Sequence, residues 1–100
     1  MQKLIFNKEN YSGDQVNIEF NELTGSFELN GYVFNLVKVN SRLIGEEYYE
    51  VFGSGWNGRL FEVFRFGSKA WQAFGNGTAR EGNHPAEAAA KMILATIWKE

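Results

Sequence analysis

One hundred residues, 44% hydrophobic and 16% aromatic with a single proline, make one domain (1–100) with its own core, and exclude a disordered chain or a loop-dominated scaffold. A formal charge of −2 lacks the clustered Lys and Arg with which a general nucleic-acid binder neutralises phosphates. With no cysteine, disulfides, a thiol nucleophile and thiolate metal sites are excluded, which fits a reducing compartment.

In chain order, Lys3 is followed by only Leu4, Ile5 and Phe6 before Asn7. That is far short of a signal-peptide core, and no run approaches a membrane span. A cytoplasmic location is expected, and the sequons Asn10-Tyr11-Ser12 and Asn76-Gly77-Thr78 read as accidental. Val16, Ile18 and Phe20 alternate with Asn17 and Glu19, the period of a strand with one buried face. Asn30-Gly31, Asn57-Gly58 and Gly67-Ser68 lie between aromatic-rich runs and read as two-residue hairpin turns. The first turn pairs Leu29 with Tyr32, Phe27 with Phe34 and Gly25 with Leu36. The second pairs Val51 with Phe64, Glu50 with Arg65 and Tyr49 with Phe66, and the third Phe64 with Trp71, Val63 with Gln72 and Phe61 with Phe74. One face then collects Tyr49, Val51, Phe64, Phe66, Trp71 and Ala73, and the other Tyr48, Phe52, Phe61, Val63 and Phe74.

The stretch Gly75-Asn76-Gly77-Thr78-Ala79-Arg80-Glu81-Gly82-Asn83-His84 reads as a glycine-rich connection. Pro85 suits the first position of a helix, and Glu87 its positive dipole end. At 100° per residue Ala86, Ala89, Ala90, Ile93, Leu94 and Ile97 form an inward stripe, with Ala88, Lys91, Ala95 and Lys99 opposite. The expected fold is α+β: an antiparallel meander of five or six strands, then one C-terminal helix packed on the sheet. A helix of about fifteen residues is roughly 22 Å long and covers three or four strands. The remaining aromatic surface must therefore curl around the helix, pair with a second chain or face a partner.

No catalytic, cofactor or metal motif is recognisable. The only histidine, His84, reads as a solvent-exposed helix-start residue, and the glutamates show no paired spacing for two-carboxylate chemistry. Dinucleotide and phosphate-loop patterns both fail, since Arg80 replaces the third glycine of the first and Asn83-His84 the Lys-Ser or Lys-Thr of the second. The expected function is protein binding, as a monomer on another protein or as a homodimer. Trp56, Arg59, Tyr48, Phe52 and Arg65 are the anchors and orienting charges. The alternative is a small anion or nucleotide-type ligand at the helix N-terminus, held by backbone N–H groups with Thr78, Arg80 and His84. A single-stranded nucleic-acid binder would use the aromatic sheet as a stacking platform, but Glu28 and Glu50 interrupt it as often as Arg65 does. The tail Asn83-His84-Pro85-Ala86-Glu87-Ala88-Ala89-Ala90-Lys91 resembles the proline-started, alanine-rich terminal helix of small bacteriophage accessory proteins. That resemblance implies a non-enzymatic binder, for example an inhibitor of a host factor or defence system, and transfers no site residue.

Overall fold

The structure, a computed structural model, describes residues 1–8, 14–40 and 43–98. The Asn10 sequon and Lys99 lie outside the described residues. The chain is α+β, with one eight-stranded antiparallel meander in sequence order. Its strands are β1 (Gln2–Asn7), β2 (Gln15–Asn21), β3 (Ser26–Leu29), β4 (Tyr32–Val39), β5 (Glu46–Gly53), β6 (Phe61–Phe66), β7 (Trp71–Gly75) and β8 (Thr78–Gly82). A single helix, α1 (Pro85–Thr96), follows.

Eight strands stand where five or six are expected, because β1 and β8 escape the sequence reading. In β1, Lys3 and Ile5 share the face of Glu19 and Asn17, while Leu4 and Phe6 turn inward beside Ile18 and Val16. The glycine-rich connection is in fact a hairpin. Asn76 and Gly77 both have positive φ, 51° and 73°, the mirror-image turn that suits twisted strands, and β8 pairs with β7 from Gly75↔Thr78 to Trp71↔Gly82. The inward positions of β8, Thr78, Arg80 and Gly82, carry no apolar side chain, and at Gly82 the helix backbone fills the space. A Cβ on Gly82 would stand 2.7 Å from the Ala88 nitrogen.

The Asn30-Gly31 turn forms as expected, with φ of 52° and 83° and the pairs Leu29↔Tyr32 and Phe27↔Phe34. Leu36 N–H donates to the Gly25 carbonyl at 2.7 Å. The Asn57-Gly58 turn does not form. Between β5 and β6 the chain instead makes a longer loop in which Trp56 folds back, and the register is Val51↔Phe61, Tyr49↔Val63 and Glu47↔Arg65. Trp56 takes the space that a side chain at Gly53 would fill, 2.6 Å from the Cβ position. Burying a tryptophan removes roughly 150–250 Å² from water, at about 25 cal/mol per Å². Even half of that outweighs a local turn preference of about 1 kcal/mol. Gly67-Ser68 likewise gives way to a loop one residue longer, pairing Phe64 with Gln72 and Val63 with Ala73. These odd shifts exchange faces. Phe61 and Val63 join Val51, Trp71 and Ala73 in the core, while Phe64 and Phe66 turn outward.

The sheet curls around α1. Lys91 of the helix donates to the Glu81 carbonyl of β8 at 3.0 Å and lies 5.9 Å from the Phe6 ring of β1, so one side chain reaches both edges of the sheet. Trp98, just past the helix, meets Phe34 and Tyr32 of β4 at 5.8 and 5.6 Å. The helix is therefore buried more widely than one stripe: Ala88 is as fully enclosed as Ala89 and Ala90, and Met92 and Ile93 complete the core. Close approach is what the alanines permit.

Candidate functional site

With the helix filling the concave face, the convex face is the side of the sheet that α1 does not cover. The register places Val33, Val37, Tyr48, Phe52, Phe64, Phe66 and Phe74 on it. Phe74 is 54% exposed, Val37 47%, and Phe66 and Val33 41% each. Two like charges, Glu50 and Glu62, stand directly opposite each other in the middle of this face, an arrangement that destabilises a ladder by about 0.2–1 kcal/mol. Arg59 answers it from the preceding loop. Its Nη1 lies 2.9 Å from Glu50 Oε2 and 2.7 Å from Glu62 Oε1. Burial, followed by a hydrogen bond to Glu62, pushes the Tyr48 phenol up to about 12, so Tyr48 stays a neutral donor at physiological pH.

Of the five residues expected to bind protein, Tyr48, Phe52 and Arg59 belong to this face and two do not. Trp56 sits in an aromatic cluster with Tyr32 at 5.2 Å, Phe34 at 5.5 Å and Trp98 at 6.4 Å. Arg65 stands on the concave side, 3.2 Å from Glu47 Oε1 and 4.5 Å over the Trp71 ring. The expected Glu50–Arg65 pair is replaced by the Glu50–Arg59–Glu62 bridge. Glu62 and Phe66 join the face unforeseen, while Phe74 shares it with Tyr48 and Phe52 as the sequence pattern expects. Reading Asn76-Gly77 as a hairpin turn would have placed Phe74 beside a further strand.

The alternative ligand residues are distributed along structural elements. Thr78 opens β8, opposite Gly75. Arg80 faces Ala73 and donates from Nη1 to the Ala79 carbonyl at 2.8 Å. His84 is the N-cap: its Nδ1 accepts from Ala86 N–H at 3.0 Å, and its ring meets Phe20 edge-on at 4.9 Å. The Glu87 carboxylate accepts from Asn83 N–H at 3.3 Å. The helix start is thus occupied by this chain's own acceptors. Among the described residues no group of three or more His, Cys, Asp or Glu side chains is placed to hold a metal ion, and no helix is long and apolar enough to cross a membrane.

Only an unprotonated Nδ1 can accept the Ala86 N–H, and burial lowers the His84 pKa against the opposing pull of Glu87 and Glu22. The unfolded chain then binds the proton more readily. The cap's stability is complete above the unfolded value of about 6.5 and is lost as pH falls through the lower folded value. His84→Ala should cost about 1 kcal/mol at pH 8, more than a surface residue, and less at pH 5. Urea midpoints at the two pH values check this, and a loss independent of pH contradicts it.

The chain matches no protein-family model, and neither a curated protein nor a solved structure is significantly similar to it.

Proposed function

We propose that this chain is a non-enzymatic protein-binding module whose contact surface is the convex face of the sheet. The observation that carries this reading is the exposure of Val33, Val37, Phe66 and Phe74 on the one broad face left without a helix. Apolar groups gathered on one surface mark interaction sites, whereas scattered ones need no explanation. Eight strands at about 4.8 Å spacing give roughly 35 Å of contour, enough for the roughly 800 Å² that one partner contributes to a standard interface. Tyr48, Arg59, Glu50 and Glu62 hold one another in place, so they offer ordered polar contacts at small entropic cost. Inhibition of a host factor, the role implied by the tail's resemblance, is one instance of such binding.

The test is affinity for the partner recovered from the native host. Phe66→Ser with Phe74→Ser should weaken it by at least about tenfold, because aromatic anchors carry most of an interface's energy, while the thermal midpoint stays within a few degrees. Unchanged affinity with an intact fold rejects the convex face. Sedimentation at several concentrations shows whether that partner is a second copy of this chain.

A further inference from the structure

We propose that the partner of the convex face presents a concave surface rich in lysine and arginine, of the kind that holds a nucleic-acid backbone. This inference rests on the function proposed above and adds the partner's chemistry.

The charges of the sheet are sorted by face. On the convex side the register places Glu19, Glu28, Glu46, Glu50, Glu62 and Glu81, with Lys3 the one strand cation there. Arg59 joins from its loop and is already divided between Glu50 and Glu62. On the concave side the strands carry Lys38, Arg65 and Arg80 against Glu47. The whole chain has a formal charge of only −2, so the convex surface is much more acidic than its net charge suggests. That sorting is a local field. It attracts cationic surfaces, speeds their encounter and repels like charges.

Exposed aromatics alone would fit any apolar partner, and acidic groups alone would be a solvated surface. Here they face one another across neighbouring strands: Glu62 lies opposite Phe74, Glu46 opposite Phe66, Glu50 opposite Val37 and Glu28 opposite Val33. Arginine and lysine carry an apolar stem and a charged head, so such a checkerboard suits them at both ends. A groove lined by Val39, Leu43, Tyr48, Glu46, Glu50 and Arg59 offers an apolar floor beside carboxylates for one such side chain. Apart from this groove the face is the outer side of a sheet curled around α1, so the complementary surface is hollow. Nucleic acid itself is the disfavoured occupant, since its phosphates meet six glutamates on this face.

Two labelled peptides serve as probes, one alternating arginine with leucine and one glutamine with leucine, beside a labelled single-stranded oligonucleotide. The arginine peptide should bind the intact protein and weaken as salt rises; the glutamine peptide and oligonucleotide should not bind. Glu28→Lys with Glu81→Lys should lower arginine-peptide affinity by about tenfold, whereas Asp14→Lys with Glu22→Lys, the same charge change off the convex strands, should lower it less than about threefold. Equal losses from both pairs, or binding of the oligonucleotide instead, overturn the inference. If the serine variants of Phe66 and Phe74 weaken the native partner while the lysine variants leave it and the peptide unaffected, the convex face stands and the basic partner falls.

Discussion

Phe34→Ala is expected to destabilise the protein by about 3–5 kcal/mol, the cost of emptying an aromatic core site. Phe34 is fully buried at the centre of β4, with Phe27 stacked at 5.7 Å, Trp56 at 5.5 Å and Trp98 edge-on at 5.8 Å. Those partners come from a neighbouring strand, a loop and the chain beyond the helix, so one ring joins three parts of the fold. They cannot all collapse into the space it leaves. For a domain of this size the loss corresponds to a fall of roughly 15–30 °C in thermal midpoint. Calorimetry or thermal circular dichroism reads it directly. A shift under about 5 °C would mean that Trp56 and Trp98 do not depend on this ring, contrary to the geometry described.

Lys91→Met should have the next largest effect. Lys91 Nζ lies 3.2 Å from Glu87 Oε2, and the two side chains are only 11% and 13% exposed. The same ammonium donates to the Glu81 carbonyl at 3.0 Å and sits over the Phe6 ring. Removing the cation leaves a nearly buried carboxylate without its partner, which costs about 3–5 kcal/mol for a fully enclosed pair and somewhat less here. The informative variant is the double one. Glu87→Gln keeps an oxygen for Asn83 N–H while removing the charge, and methionine replaces most of the lysine stem, so Lys91→Met with Glu87→Gln should return to within about 1 kcal/mol of the original protein. Denaturant titration of the four proteins closes the cycle. Additive losses would show that Lys91 acts through its contacts to β1 and β8 alone.

Much of this architecture is legible in the sequence, and the exceptions share a cause. The dipeptide Asn-Gly occurs at Asn30, Asn57 and Asn76, with the same local preference each time. The first and third are hairpin turns with both φ angles positive, while Asn57 keeps negative φ. What separates them is tertiary: Trp56 finds a place against Phe34 and Trp98, and Gly53 leaves room for it. A period-two pattern says which residues of one strand share a face, but it does not say which face is inside. The loops on either side of β6 decided that, and they moved Phe64 and Phe66 outward. In β8 the usual signal is missing, because its inward positions are Thr78, Arg80 and Gly82, the last of them closed off by helix backbone. Ala88 and Lys91 project away from the helix's apolar stripe, yet a curled sheet covers them too. A single helix projection cannot reveal a sheet that wraps it.

Tyr48, Phe52 and Arg59 were recognisable as aromatic and cationic residues near a hairpin, whereas Arg65 and Trp56 carried the same credentials and were drawn inward by Trp71 and the Trp98 cluster. Residue type does not separate the convex face from the core; strand register and the course of the β5–β6 loop do.

The most direct measurement is photo-crosslinking from defined positions in the protein bound to its native partner. A benzophenone side chain replacing Phe66 or Phe74 on the convex face should crosslink to the partner. The same group at Lys38, on the concave side, or at Leu23, in the β2–β3 turn, should not. Crosslinks from Lys38 or Leu23 with none from Phe66 and Phe74 would place the partner elsewhere and contradict the assignment of the convex face.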